Sequence, residues 1–296
     1  MPMVVSAPAK LNLYLAVGDL LPSDYHSVTT VLVALDLADR VTVTPAPALS
    51  LTCEPGVGVS ASDNLGWRAA TAMGEAFDRS PDFTIHIEKL VPAGAGLAGG
   101  SGDAAAVIAA LAAEWDVSRD DPRLESVASS LGADVPFALR GGCALYRGRG
   151  ATFGRALRPP VAYFAIIKGD EAVSTAAAYA AFDRIGRAPA PGPRCVASAL
   201  AFEDLPALGA ALYNNMTPAA VHLVPEIENA LAFMRTADGC CGSALCGSGS
   251  AVFGIFSDGE HARSVAEAAR ERGMWSTVAR ATVGGTLDQT MGVGLD

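Results

Sequence analysis

Lys10 and Asp134 each stand alone among apolar and small neighbours. Lys10 lies in Ala7-Pro8-Ala9-Lys10-Leu11-Asn12-Leu13, and Asp134 in Gly132-Ala133-Asp134-Val135-Pro136-Phe137. A lysine in such company is costly to bury unless it faces a cleft or an acid. Otherwise it guards a sheet edge as a gatekeeper. An aspartate after a Gly-Ala turn either caps a helix or serves as general base towards a hydroxyl, kept ionised by a nearby cation. Lys10 and Asp134 would each supply what the other needs.

A second chemistry is written in Val91-Pro92-Ala93-Gly94-Ala95-Gly96-Leu97-Ala98-Gly99-Gly100-Ser101-Gly102-Asp103-Ala104-Ala105-Ala106. Glycine lets backbone N–H groups approach a ligand with no Cβ in the way. A helix start adds unpaired donors and a positive dipole end, which suit a phosphate. The run is either such a cradle or simply a tight loop. It is not a Walker A sequence, because no Gly-Lys-Ser/Thr follows, and no acidic residue stands where a dinucleotide fingerprint would need one.

Tyr25-His26 lies in a polar turn between Asp24 and Ser27. An aromatic beside an imidazole can stack on and bond a flat heterocycle, or simply form a surface turn. Cys246-Gly247-Ser248-Gly249-Ser250 enters a strand-like run and is either a tight turn or a second phosphate-closing loop. Six cysteines form no disulfide framework. Cys240, Cys241 and Cys246 cluster without a Cys-x-x-Cys pair or a nearby histidine, so buried free thiols are expected, not a metal site.

The elements that must position these residues follow from periodicity. Val4–Val17 reads as one or two strands; Val28–Leu37 and Arg40–Thr44 read as strands separated by Asp36-Leu37-Ala38-Asp39. Leu65–Ala76 has helical spacing, with Ser62-Asp63-Asn64 as capping candidates. Phe83–Glu88 alternates as a strand that delivers the chain into the glycine run. A helix is expected over Ala104–Trp115, where Val107, Ile108, Leu111 and Trp115 recur at helical spacing. Leu124–Leu131 is a short amphipathic helix ending at Gly132. Arg158-Pro159-Pro160 reads as a domain connection, followed by a strand over Val161–Ile167. Ala188–Pro193 is expected as a loop, His261–Arg272 as a helix and Gly284–Asp296 as a loose tail.

The 296 residues are long for one core and comfortable for two domains. With 51% hydrophobic and 18% charged residues the chain is no disordered segment. A net charge of −10 argues against a nucleic-acid partner. The apolar runs are too short and interrupted for a membrane span. The N-terminus lacks the basic and apolar blocks of a signal peptide, so a cytoplasmic location is expected.

In order, Pro8-Ala9-Lys10-Leu11-Asn12-Leu13, Asp24-Tyr25-His26, the Pro92–Ala106 run, Ala133-Asp134-Val135-Pro136-Phe137 and Gly247-Ser248-Gly249-Ser250 resemble the motifs of the GHMP kinase superfamily. The resemblance implies an α+β fold of two domains. An N-terminal ribosomal-protein-S5-like ATP-binding and catalytic domain would span residues 1–157. A C-terminal ferredoxin-like α/β sandwich would span 158–296, with the active site in the cleft between them. It further implies ATP-dependent phosphorylation of the 2-hydroxyl of 4-diphosphocytidyl-2-C-methyl-D-erythritol, with Mg²⁺, by a monomer or weak homodimer. Lys10 and Asp134 fall on the catalytic pair, Asn64 near the nucleotide, and Pro92, Ala93, Gly94, Ala95, Gly96, Leu97, Ala98, Gly99, Gly100, Ser101 and Gly102 on the ATP phosphate loop. Asn12, Tyr25 and His26 fall on substrate positions, with Tyr179 as a candidate second aromatic at the cytosine.

The chain departs from that pattern at Ala95, where relatives usually carry glycine, and at Gly102, where they carry serine or alanine. Asn214-Asn215-Met216-Thr217-Pro218 also differs from the usual Asn-Asp. Two other readings are a homoserine- or mevalonate-type kinase of the same superfamily and a non-catalytic ligand-binding protein of that fold. Tyr25-His26 disfavours the first and the Lys10–Asp134 pair the second.

Overall fold

The computed structural model describes residues 1–22, 25–186 and 189–289. Two long strands, β1 (Met3–Leu20) and β2 (His26–Pro45), form an antiparallel pair that spans the first half. Its register steps between Pro8 and Lys10 and between Asn12 and Tyr14, which bends the pair near both polar side chains. The later part of β2 pairs with β4 (Phe83–Glu88), which pairs in parallel with β3 (Ser50–Glu54). Its earlier part pairs with β5 (Cys143–Arg147), and β5 with β6 (Thr152–Leu157).

Sequence periodicity separates β2 at Asp36–Asp39, but the strand runs through. Asp36 accepts the N–H of Arg280 at 2.7 Å, and Asp39 those of Leu90 and Val91 at 2.6 and 2.7 Å. Partners distant in sequence override the turn preference of two aspartates.

Four helices cover one face of this sheet: α1 (Leu65–Phe77), α2 (Gly99–Glu114), α3 (Pro122–Leu131) and α4 (Val135–Arg140). Val5, Val41, Val43, Ile85 and Ile87 meet Met73, Ile108, Leu111 and Leu124 there. The alanine-rich α2 is buried on nearly every side, its small side chains allowing close contact with helix and sheet alike.

The second half builds an antiparallel sheet in the order β11 (Trp275–Arg280), β7 (Tyr163–Lys168), β10 (Val252–Phe256), β9 (Cys240–Leu245). One face carries α5 (Thr175–Ile185), α8 (Thr217–Leu223), α9 (Glu226–Arg235) and α10 (Gly259–Glu271). The other face, with α6 (Arg194–Phe202) and α7 (Leu205–Ala211), meets the first sheet. Leu11, Leu13, Val31 and Val33 there share one core with Phe164, Ile166, Phe253 and Ile255.

The halves are also interleaved along the chain. The short β8 (Tyr213–Asn214) pairs in parallel with β1. After β11 the chain returns to the first half, where Thr282 N–H donates to Ala34 O at 2.9 Å and Thr286 Oγ1 to Ala138 O at 3.4 Å. The connection at 157/158 falls between β6 and β7. Asp24, Ala188 and residues 290–296 of the expected motif, loop and tail lie outside the described residues.

Candidate active site

The glycine run leaves β4, crosses the open end of the sheet and becomes α2 at Gly99, five residues before the start expected from composition. Gly94 (φ 66°), Gly96 (φ 75°) and Ala98 (φ 58°) take left-handed conformations. At Gly96 glycine is also needed for space, since a Cβ there would lie 1.9 Å from Cys246 O in the second glycine-serine loop. No side chain caps the N-terminus of α2, so its positive end is left for a ligand. Pro92–Ser101 line a cleft of about 540 Å³ together with Lys10, Asn12, Asn64, Asp134, Tyr179 and Ser248. Gly102 points elsewhere: a Cβ there would lie 3.0 Å from Pro8 O, so it lets α2 close onto β1.

Lys10 lies on the floor of this cleft. β1 pairs with both β2 and β8, and the Lys10 N–H donates to Leu97 O at 3.1 Å. The gatekeeper alternative therefore fails; Lys10 is 5% exposed. Its Nζ donates to Asn12 Oδ1 at 2.7 Å and Gly96 O at 3.0 Å, and lies 3.7 Å from Asp134 Oδ2. Asn12 is held in turn, its Nδ2 donating to Thr30 Oγ1 at 2.8 Å and Thr30 Oγ1 to Tyr14 O at 2.7 Å. That chain fixes the amide with its oxygen towards the ammonium.

Asp134 occupies the N-cap position of α4 but makes no capping bond. Its carboxylate is left for Lys10 and the cleft, so the helix-capping alternative also fails. A fixed ammonium beside a half-exposed carboxylate is an arrangement that can receive a hydroxyl proton and stabilise the charge that develops.

At one side of the cleft Tyr179, on α5, faces His26 with ring centroids 5.4 Å apart, and Phe182 meets the same imidazole edge-on. His26 donates from Nδ1 to Gly18 O at 2.9 Å, and its Nε2 lies 3.1 Å from Asp183 Oδ1. Burial pushes the Tyr179 phenol above its ordinary range, with the charge of Asp134 adding to the effect. Tyr25 and His26 do not line the cleft. Tyr25 is exposed beneath the Arg149 guanidinium, 4.1 Å from the ring centre, and Arg149 does line it. Asn64 caps α1, accepting from Gly66 N at 2.8 Å, and borders the cleft as well.

Three features were not singled out from sequence. Thr175, at the start of α5, shares a hydrogen bond at 3.2 Å within the cleft with Ser248 of the second glycine-serine loop, which the sequence does offer. Asp183 orients His26 from one helical turn beyond Tyr179. Lys89 and Asp103, which also border the cleft, form a buried ion cluster with Asp39 at the foot of the phosphate loop. A lysine three residues before Pro92 was the available signal for the last. The cysteines are all free; burial pushes the Cys143 and Cys246 thiols up to about 12, Lys10 opposing the effect at Cys246.

Residues 64–142 match the family of GHMP kinases N terminal domains, and residues 196–273 that of GHMP kinases C terminal. The 4-diphosphocytidyl-2-C-methyl-D-erythritol kinase of Salinibacter ruber is 37% identical over 276 residues, covering 92% of this chain and 96% of the relative. That of Streptomyces coelicolor is 36% identical over 299 residues, covering 98% and 99%. A crystal structure of 4-(cytidine 5'-diphospho)-2C-methyl-D-erythritol kinase superposes with a TM-score of 0.78 at 34% identity, covering 95% of this chain and 100% of the other. A homoserine kinase from Cytophaga hutchinsonii superposes at 0.74 with 18% identity over 97% and 96%, which shows the shared fold alone. With the match running through both halves and nearly the whole length, the chain belongs to the GHMP kinases, in their 4-diphosphocytidyl-2-C-methyl-D-erythritol kinase family.

Proposed function

We propose that this chain transfers the γ-phosphoryl group of ATP to the 2-hydroxyl of 4-diphosphocytidyl-2-C-methyl-D-erythritol, giving the 2-phosphate and ADP. The observation that carries the reading is the Lys10–Asp134 pair, 3.7 Å apart, in one cleft with the uncapped start of α2. Asp134 accepts the proton as the hydroxyl oxygen bonds to phosphorus, and the bond to the ADP oxygen breaks. Lys10, held by Asn12 and Gly96 O, faces the Asp134 carboxylate and meets the negative charge that develops. The backbone of Pro92–Ser101 cradles the donor phosphates, so the chain works chiefly by positioning.

The donor set suits Mg²⁺ held mainly by phosphate oxygens. Among the described residues no group of three His, Cys, Asp or Glu is arranged to hold a metal, whereas the Ser101 hydroxyl and the Asp134 carboxylate border the same cleft and can add hard oxygens. When bound, the ion would supply neutralisation of the donor's phosphate charge, with the Ser101 hydroxyl and the Asp134 carboxylate the side chains that would hold it.

The cytosine stacks on Tyr179, which His26 supports from behind, while Tyr25 acts from the exposed turn through Arg149 at the edge of the cleft; Asn12 faces the methylerythritol moiety. Residues 1–157 hold the donor, and 158–296 supply Tyr179 and the second loop. ADP release measured side by side with the cytidine-bearing acceptor, mevalonate and homoserine tests the assignment. Turnover with the first alone is expected; turnover only with either of the others overturns it.

A further inference from the structure

At the foot of the phosphate loop lies a buried charged cluster, in which Lys89 and Asp103 border the cleft and Asp39 stands behind them. Lys89 Nζ bonds Asp39 Oδ2 at 2.5 Å and Asp103 Oδ2 at 2.7 Å, and all three side chains are at least nine-tenths buried. The second oxygen of Asp39 accepts the N–H groups of Leu90 and Val91, the residues that lead into the loop. Asp103 lies in the first turns of α2, just past the loop. Its Oδ1 is buried with no hydrogen-bond partner. The helix start fits over the cluster because residue 99 is glycine: a Cβ there would lie 3.1 Å from Lys89 Nζ and 3.2 Å from Asp39 Oδ2.

Two carboxyl groups share one ammonium in a water-excluded place, with one oxygen unsatisfied. Burial at this cost adds little net stability, and apolar residues of similar volume would fill the space as well. What the cluster does provide is a tether. One end of the glycine loop is fixed to β2 through Asp39, and the other through Lys89 to Asp103. We propose that Asp39, Lys89 and Asp103 are positioning residues that hold the two ends of the phosphate loop in the spacing an ATP phosphate requires. The proposal rests on the kinase reading. Asp39 does not line the cleft, so it acts on nucleotide only through the loop.

The test is ADP binding by calorimetry, which needs no acceptor, together with the KM for ATP, the KM for the cytidine-bearing acceptor and kcat. Lys89→Met and Asp39→Asn are each expected to weaken ADP binding about tenfold, with the same rise in the KM for ATP. The acceptor KM and kcat at saturating ATP stay within about twofold, and Lys89→Arg recovers most of the loss. Asp103→Asn keeps shape and volume and carries the test where another variant does not fold. It is expected to weaken ADP binding about threefold, because one arm of the tether is lost.

Wild-type ADP affinity in Asp39→Asn overturns the proposal, since Lys89 would then matter only by direct contact. Equal losses for nucleotide and acceptor overturn it too, because they signal general disruption. A wild-type protein that binds no adenine nucleotide overturns the kinase reading itself, and the tether with it.

Discussion

The buried ammonium of Lys10 has three oxygen partners, of which only Asp134 carries charge and reaches solvent. On that asymmetry the proposed proton transfer falls to Asp134. Asp134→Asn keeps the shape and removes the base, so kcat is expected to fall about a thousandfold while ADP and acceptor affinities stay near wild type. ADP release and calorimetry check this; unchanged turnover would move the base elsewhere. Tyr179→Ala is expected to raise the KM for the cytidine-bearing acceptor about tenfold, from the loss of one base–aromatic stack, and to leave the KM for ATP alone. Steady-state kinetics in both substrates read the split. Lys10 and Asp134 are legible in the sequence because each charge is conspicuous among apolar neighbours. Asp183 is not, since an aspartate on an exposed helical face gains meaning only when α5 lies against the start of β2.

At the scale of elements, α2 shows where composition misleads. Gly99, Gly100 and Gly102 lower helix propensity and read as loop, yet all three lie in the helix. The cause is steric, because Gly99 makes room for the ion cluster and Gly102 for the backbone of β1. The ion cluster gives α2 a pH signature. Burial pushes the Asp103 carboxyl up from its ordinary 3.8 to about 7, opposed by the Lys89 charge. Between about pH 4 and 7 the folded chain therefore holds a proton that the unfolded chain has released. Stability from this group is fully present below that window and is lost as pH rises through it. Asp103→Asn removes the dependence, so its unfolding free energy should fall less from pH 4.5 to 7.5 than that of wild type. Denaturant titrations across that range check it, and parallel curves would contradict the assignment. The strand–glycine loop–helix order itself was legible, since Phe83–Glu88 alternates cleanly and glycines punctuate the segment between that strand and the alanine-rich run.

For the whole molecule, Arg158-Pro159-Pro160 marks a connection between halves but hides how much they share. Phe253 of β10 and Leu11 of β1 belong to one core, which no local pattern of apolar residues could announce. Phe253→Ala is expected to cost about 3–5 kcal/mol and to lower a single unfolding transition in calorimetry. Two separated transitions would show that the halves are independent. The sharing extends to the cleft. Ser250 N–H donates to Gly94 O at 3.3 Å and Ala251 N–H to Ala95 O at 3.2 Å, so the loop that follows β9 is stitched to the phosphate loop. The phosphate loop is thereby geared to the second half of the molecule. Lys10 bonds Leu97 O and Gly96 O of that same loop, so the glycine run, the catalytic ammonium and the second loop are built into one frame that draws on both halves of the chain.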